Sequence, residues 1–267
     1  MISVGFLIAA LLASMRPALA DQQYDTNGED VYRIGSAGIV SRVAYAGKQR
    51  LTIEKQGGHV RYDAQAQYAR SAADGNTRVN ARFVQELSRS GTFEDRLNED
   101  PDFLTVLNQP FAVQLDGATL RDLQNLHGQV PFSATSPLGG QSVLRGFLRP
   151  GTNGRVGGRA AVGVRFEAEG PMTAPMPSRV NATMSGHMRM DGTAFYALDD
   201  AMLLGLDATL TIVAQLHDGP ETLPVRIVYR RSIRASGATA PVKPIEVKTP
   251  QPTPLATDGG KAFRLTP

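Results

Sequence analysis

The sequence predicts a mostly β protein built around one long, curved antiparallel sheet of about ten to twelve strands, in the form of a half-barrel, a barrel or a sandwich. Two observations carry this prediction: apolar and polar residues alternate with period two over long stretches, and seven Asn-Gly or Asp-Gly pairs punctuate the chain. A third observation is that none of the 267 residues is cysteine. A sizeable core, not disulfides, must therefore stabilise the domain.

The first twenty residues are typical of a bacterial secretory signal peptide. Residues 4–13 form an unbroken run of apolar and small residues, which is too short to span a membrane because a transmembrane helix needs about 20 apolar residues. Ala18, Leu19 and Ala20 match a small-x-small cleavage site, so we expect cleavage after Ala20 and a periplasmic or secreted protein with no transmembrane span thereafter. Residues 1–6 lack the usual positive charge, which leaves the start codon open; a buried N-terminal helix or an uncleaved anchor is the alternative.

Residues 21–235 are predicted to form a single β-rich domain, and its clearest pattern lies between residues 60 and 87. Even-numbered residues from Val60 to Tyr68 are apolar or aromatic, and the odd-numbered residues between them are polar. The alternation resumes after Asp74-Gly75, from Val79 onward. An Asp-Gly pair between two alternating runs predicts a β-hairpin with a tight turn.

The second half of the chain repeats this alternation and predicts four more strands. The runs cover residues 162–169, 180–190, 204–216 and 225–233. Asp191-Gly192 is predicted to turn the chain after the second of these runs. A strand of a dozen or more residues extends about 40 Å, and long antiparallel sheets twist and curl.

Residues 92–128 interrupt the alternation and predict one to three short helices that cover the open side of the sheet. The apolar residues behind this prediction are Phe93, Leu97, Phe103, Leu104, Leu107, Leu120, Leu123 and Leu126. Residues 236–267 are rich in Pro, Thr and Ala and are predicted to form a disordered tail, whose end at residues 262–265 includes Phe263 and Leu265.

The charges favour no class of macromolecular partner. The chain carries 28 Lys and Arg against 25 Asp and Glu, so we expect no nucleic-acid partner. Two arginine runs and one acidic segment are interpreted as solvated faces, and attraction to anionic lipid headgroups or cell-wall polymers is the alternative. These residues are Arg145, Arg149, Arg155, Arg159 and Arg165; Arg226, Arg230, Arg231 and Arg234; and Glu94, Asp95, Glu99, Asp100 and Asp102.

No catalytic motif is recognisable in the sequence, which lacks a G-x-S-x-G elbow, S-x-x-K, H-E-x-x-H, a phosphate-binding loop and a dinucleotide-binding glycine pattern. Distant residues could still assemble a triad, and the histidines available for one are His59, His127, His187 and His217. We interpret His59, His187 and His217 as solvated residues at strand ends or on polar faces. Asp199-Asp200 is predicted to form a turn, because adjacent strand residues point to opposite faces. We therefore predict no catalytic site and no cofactor.

Five of the eight methionines cluster beside His187, at Met172, Met176, Met184, Met188 and Met190. Thioether and imidazole groups are ligands that suit Cu(I). Strand alternation instead places Met184, Met188 and Met190 on the apolar face and His187 on the opposite face. We interpret the methionines as core packing and predict no metal site.

Together these patterns predict an exported envelope protein without catalytic activity, whose curved sheet binds an apolar or amphipathic, lipid-like ligand or an envelope partner. The sequence does not indicate the ligand-binding residues or the oligomeric state. Two alternatives stay open: a structural or assembly protein of the envelope with no ligand pocket, and a hydrolase with dispersed catalytic residues. An open curved sheet with a helical cover is similar in outline to bacterial carriers that shelter acyl chains, which is a likeness of fold alone.

Overall fold

In a computed structural model of the protein, the described residues form one antiparallel sheet of 12 strands, curved and unclosed. The structure describes residues 18–36, 39–56, 59–87, 93–100, 103, 125, 129–135, 143–175 and 181–236. The mostly β fold predicted from the sequence is confirmed. The strands are β1 (Ala18–Ile34), β2 (Ile39–Gln56), β3 (His59–Ala72), β4 (Gly75–Leu87), β5 (Phe93–Asn98), β6 (Val130–Thr135), β7 (Val143–Pro150), β8 (Gly154–Val156), β9 (Arg159–Pro175), β10 (Thr183–Ala197), β11 (Leu203–Asp218) and β12 (Glu221–Ala235).

The first and last strands pair with each other at the middle of the sheet. This central seam runs antiparallel from Tyr24 opposite Ala235 to Ile34 opposite Val225. β2, β3, β4 and β5 follow in order on one side of the seam, and β11, β10, β9, β7 and β6 follow on the other, with β8 paired to β9. We call β1–β5 the N-terminal arm and β6–β12 the C-terminal arm. Extensive contacts between strands are all between neighbours within the sheet.

One face of the sheet is buried and the other is exposed, as period-two alternation requires. In β3 the side chains of Tyr62, Ala64, Ala66 and Tyr68 are buried, while the residues between them are exposed or half-buried. The same alternation holds along β11, whose even-numbered residues from Leu204 to Leu216 are buried. Both predicted patterns are thus confirmed. Full burial of one Leu side chain contributes about 1.5 to 3 kcal/mol to the free energy of folding.

Two of the predicted Asp-Gly turns are confirmed, and one is wrong. Gly75 follows the β3–β4 turn with a φ of 137°, and Gly219 begins the β11–β12 turn with a φ of 59°. Asp191-Gly192, in contrast, lies inside β10 and is paired on both sides. Gly192 is required there by close packing, because a Cβ would lie 2.1 Å from the carbonyl oxygen of Asp207.

The predicted helical cover is wrong at its beginning. Phe93–Asn98 forms β5, the outer strand of the N-terminal arm, with Leu97 opposite Val84. A spacing of four, as between Phe93 and Leu97, fits one face of a helix and equally one face of a strand, and pairing with β4 decides for the strand. Phe103 lies on the buried face of the sheet. Apart from residues 99, 100, 103 and 125, the rest of the range to 128 lies outside the described residues.

The predicted signal peptide and tail lie mostly outside the described residues. Ala18, Leu19 and Ala20 are described, and they form the first three residues of β1, opposite Lys55, Glu54 and Ile53 of β2. The expected cleavage site therefore lies within a paired strand, and cleavage after Ala20 stays a prediction. The part of the chain that the structure describes contains no helix long and apolar enough to cross a membrane.

Candidate functional site

The buried faces of β9, β10 and β11, in the C-terminal arm, form a continuous apolar surface. Along β11 it extends from Leu204 to Leu216, which is about 40 Å at about 3.3 Å per residue. Among the described buried residues of β9, β10 and β11, Tyr196 is the one ionisable side chain. The other residues of this surface are Val162, Val164, Phe166, Ala168, Met172, Ala174, Met184, Met188, Met190, Ala194, Leu206, Ala208, Leu210, Ile212 and Ala214.

The methionine cluster belongs to this surface. Met184, Met188 and Met190 are buried, as the alternation predicts, and so is Met172. His187 is on the opposite, exposed face, where its Nε2 lies 3.5 Å from a carboxylate oxygen of Glu169. The prediction that these methionines pack in the core is confirmed for the four described ones, and Met176 lies outside the described residues.

The central seam differs, because its buried face carries an ion pair between β1 of the N-terminal arm and β12 of the C-terminal arm. The Arg231 guanidinium donates two hydrogen bonds to the Asp30 carboxylate, from Nη1 to Oδ1 at 2.5 Å and from Nη2 to Oδ2 at 3.2 Å. The side chains of Arg231 and Asp30 are 1% and 0% exposed. Gly28, directly opposite Arg231, leaves the space in which the arginine side chain lies. Two oppositely charged groups are thus held together out of water.

Aromatic rings surround this ion pair. The guanidinium carbon of Arg231 lies 4.5 Å from the ring centroid of Tyr45 and 5.3 Å from that of Phe103, within the range of cation–π attraction. The Tyr32 hydroxyl donates to Asp30 Oδ2 at 3.4 Å. Burial raises the pKa of Asp30, because loss of hydration outweighs the attraction of Arg231 and the hydrogen bonds from Arg231, Tyr45 and Tyr32.

A second ion pair continues the cluster outward along the N-terminal arm. Arg70 Nη2 lies 2.6 Å from Asp100 Oδ2, and the Tyr68 hydroxyl donates to the same oxygen. The rings of Phe103 and Tyr68 are stacked with centroids 3.9 Å apart. We call the set Asp30, Tyr32, Tyr45, Tyr68, Arg70, Asp100, Phe103 and Arg231 the polar cluster. Asp100 and Arg231 belong to this cluster, although the sequence interpretation placed both on solvated faces.

Two buried donors at the central seam, one in the polar cluster and one beside it, have no hydrogen-bond partner. They are the Thr26 hydroxyl Oγ1 and the Arg231 Nε, and their residues are 1% and 2% exposed. Thr26 lies opposite Ile233 and Arg231 lies opposite Gly28, so the two are diagonal neighbours on the same face of the central seam. An unsatisfied buried donor costs about 1 to 3 kcal/mol.

The remaining arginines of both runs lie outside the core, as predicted for solvated faces. Their acidic partners come from other strands and turns: Arg149 pairs with Glu167, Arg230 with Glu29, and Arg159 with both Asp199 and Asp200. Asp199-Asp200 lies in the turn between β10 and β11, which confirms the predicted turn. Arg231 is the exception: its interpretation as a solvated residue is wrong, because it is in phase with the apolar residues of β12.

One histidine does meet a serine. The Ser185 Oγ and the His217 Nε2 are 3.0 Å apart, and the His217 Nδ1 faces the Thr222 hydroxyl at 3.3 Å. A hydrolytic triad needs a carboxylate at Nδ1 to hold the imidazole and stabilise its charged form. Here a neutral hydroxyl takes that place on the exposed face of the sheet. His59, His187 and His217 are all exposed, as predicted, and His127 lies outside the described residues.

A different kind of surface lies at the β6 edge of the sheet. Phe147 and Val143 are 37% and 46% exposed on β7. They border two adjacent hollows of about 590 and 370 Å³ that share Arg145. Met172 and Pro171 line the larger hollow, and Phe132 and Pro131 line the smaller. This edge exposes apolar side chains beside an opposed Arg145 and Glu169, which suits a protein partner.

The comparisons with known proteins leave the site to be interpreted from its own geometry: no family model matches the chain, and no curated protein is significantly similar to it.

Proposed function

We propose that this chain is an exported envelope protein without catalytic activity that binds an apolar or amphipathic ligand on the buried face of its curved sheet. The observation that carries the proposal is the continuous apolar surface of the C-terminal arm, about 40 Å long on β11, with the polar cluster directly beside it. Binding sites for small amphipathic molecules combine a mostly apolar lining with a few fixed polar groups.

The arrangement of strands supports this proposal. The described strands form one hydrogen-bonded sheet that is curved and unclosed. A single curved layer with one apolar face offers an extended concave surface, whereas the two layers of a sandwich fill each other's interior. Export remains part of the proposal because of the signal-like residues 1–20.

Native mass spectrometry of the protein, purified from the envelope fraction of its own host, tests both parts. We expect a chain that begins at Asp21 and carries a non-covalent lipid-like mass, which extraction with organic solvent removes. A chain mass without adduct, in protein that also fails to take up an acyl ligand after solvent extraction, would exclude ligand binding. Retention of residues 1–20 in the envelope fraction would exclude the proposed cleavage.

The β6 edge supports a second candidate, a structural or assembly protein of the envelope. Val143 and Phe147 expose apolar side chains on β7, next to the outer strand β6, so a partner with an apolar segment fits there. The variant Phe147→Ser is expected to weaken association with envelope components in cross-linking of whole cells. Val213→Ser, at another exposed apolar residue, is the matched control. Equal cross-linking by both variants would count against this surface.

A further inference from the structure

We infer that the ligand is a neutral acyl derivative, an ester or amide, whose carbonyl oxygen accepts hydrogen bonds from the Thr26 hydroxyl and the Arg231 Nε. This inference rests on the proposed function and deepens it, because it names the ligand class and the two residues that recognise it. It begins from the two unpartnered donors at the central seam.

Both donors can be satisfied by one acceptor. Thr26 and Arg231 project from the same face of the sheet as diagonal neighbours across β1 and β12, at a spacing that long side chains bridge. The hydroxyl can donate one hydrogen bond, and Nε of a guanidinium can only donate. A carbonyl oxygen has two lone pairs and can therefore accept from both. Binding recovers a desolvation cost that the free protein carries at these two atoms.

The charge balance of the polar cluster selects a neutral acceptor. Asp30 already neutralises Arg231 through two hydrogen bonds, in a place where both side chains are at most 1% exposed. A carboxylate or phosphate added there would be a second negative charge without a free counter-ion, and burying an unpaired charge is costly. Ester and amide carbonyls accept hydrogen bonds without bringing a charge.

The strand register places the acyl chain on the apolar surface. Ile233 of β12, Leu206 of β11 and Ala194 of β10 lie opposite one another in line with Thr26. Ala208 of β11 lies directly opposite Arg231. All four are buried and apolar. A chain whose carbonyl lies at the two donors therefore extends over β12, β11 and β10 without meeting another ionisable group. Phe103 lies beside the Arg231 guanidinium, so the ligand displaces this ring as it enters.

The variant Thr26→Val tests this recognition, because it removes the hydroxyl and keeps the shape of the side chain. Thr211→Val, at a half-buried threonine on the outer face of β11, is the matched control. Four ligands with the same chain length are compared by displacement of an apolar fluorescent dye: palmitamide, monopalmitoylglycerol, palmitate and hexadecane. Thermal unfolding of each variant is recorded beside the binding data.

We expect the wild-type protein to bind the amide and the ester about threefold to tenfold more tightly than palmitate or hexadecane, as one or two net hydrogen bonds allow. Thr26→Val should remove most of this preference and leave hexadecane binding unchanged. Its thermal midpoint should not fall, because the lost hydroxyl has no partner to lose. Thr211→Val should match the wild type in every ligand.

The outcomes separate this inference from the proposed function. If none of the four ligands binds, ligand binding on this face and the carbonyl site both fail. If all four bind equally, or palmitate binds most tightly, the apolar surface binds acyl chains but the carbonyl site is wrong. If Thr26→Val lowers the thermal midpoint and leaves ligand preference intact, the hydroxyl is a structural group and the inference is overturned.

Discussion

Buried and exposed residues alternate with period two in both arms of the sheet, but the two arms bury different kinds of side chain. Tyrosines dominate the N-terminal arm, where five of the seven in the chain lie in β1, β2 and β3, together with the buried Asp30, Gln49 and Gln85. Aliphatic residues and methionines dominate the buried face of the C-terminal arm. The two chemistries meet at the central seam, where Arg231 of the last strand pairs with Asp30 of the first.

This difference shows that period-two alternation determines which residues are buried, but not whether apolar packing or hydrogen bonds and ion pairs stabilise them. Aliphatic packing is non-directional and scales with buried area. Hydrogen-bonded tyrosines and ion pairs are directional, and they stabilise one arrangement only when each partner is present. The arms should therefore respond differently to single substitutions.

The largest effect is expected from Arg231→Met. It leaves the Asp30 carboxylate buried without its partner, and we expect a loss of about 3 to 5 kcal/mol in the free energy of unfolding. The neighbouring exposed pair Arg230–Glu29 gives the control, because Arg230→Met should cost about 0 to 1 kcal/mol. Urea unfolding measures both. Equal losses of stability would mean that the buried Arg231–Asp30 pair contributes no more than the exposed Arg230–Glu29 pair.

A cavity in the C-terminal arm should have a comparable but slightly smaller effect. Leu206 is fully buried on β11, and Leu206→Ala should cost about 2 to 5 kcal/mol through lost apolar contacts and the space left behind. Val213→Ala, at a residue 59% exposed on the same strand, should change stability by less than about 0.5 kcal/mol. A small cost at Leu206 would show that the apolar surface is loosely packed.

Gly192→Ala should cost less, about 1 to 3 kcal/mol, because its methyl group meets the Asp207 carbonyl and the Phe166 ring. Gly154→Ala is the matched control: a Cβ there meets nothing within 4 Å. The thermal midpoints of the two variants give the comparison. If Gly192→Ala is as stable as Gly154→Ala, the close approach of β10 and β11 does not require a glycine.

The tyrosines of the N-terminal arm give the mildest prediction, with no effect at neutral pH. Burial raises the pKa of Tyr62 to about 12, and it also raises the pKa of Tyr24, Tyr45 and Tyr68. A group with a raised pKa in the folded state stabilises the fold fully below its unfolded pKa, and this contribution is lost as pH rises through the folded value. Stability should therefore fall from pH about 10 upward. An absorbance titration that showed all seven tyrosines ionising near pH 10 in folded protein would contradict this.

The sequence predicted the fold class and several strands because the pattern that it reads, alternation, is the same pattern that burial imposes. β3 and β11 show this residue by residue. The sequence-based prediction failed at Gly192, where a turn was expected, and at Phe93, where a helix was expected. At both places the local pattern also fits a strand, and pairing with neighbouring strands decides for the strand. No local sequence pattern indicates that Asp191-Gly192 pairs with strands on both sides.

The polar cluster could have been predicted in part. Arg231 follows Val225, Ile227 and Tyr229 in the apolar phase of β12, and a charged residue in an apolar phase needs a buried partner. Its partner Asp30 precedes it by 201 residues and could not be identified from spacing alone. The unpartnered donor at Thr26 depends on which atoms lie near it, which no sequence pattern specifies.

The pairing of β1 with β12 sets the order in which this sheet can form. Hairpins such as β3–β4 and β11–β12 join neighbouring segments, so their ends meet quickly. The central seam joins strands whose partners are about 200 residues apart, so it closes only after the final strand has been synthesised, and it carries the entropy cost of a very large loop. Before β12 is added, the chain holds two incomplete halves, and loss of β12 would leave the edge of β1 and the Asp30 carboxylate without partners. Pairing of β12 with β1 is the step that joins the two separate meanders into one sheet.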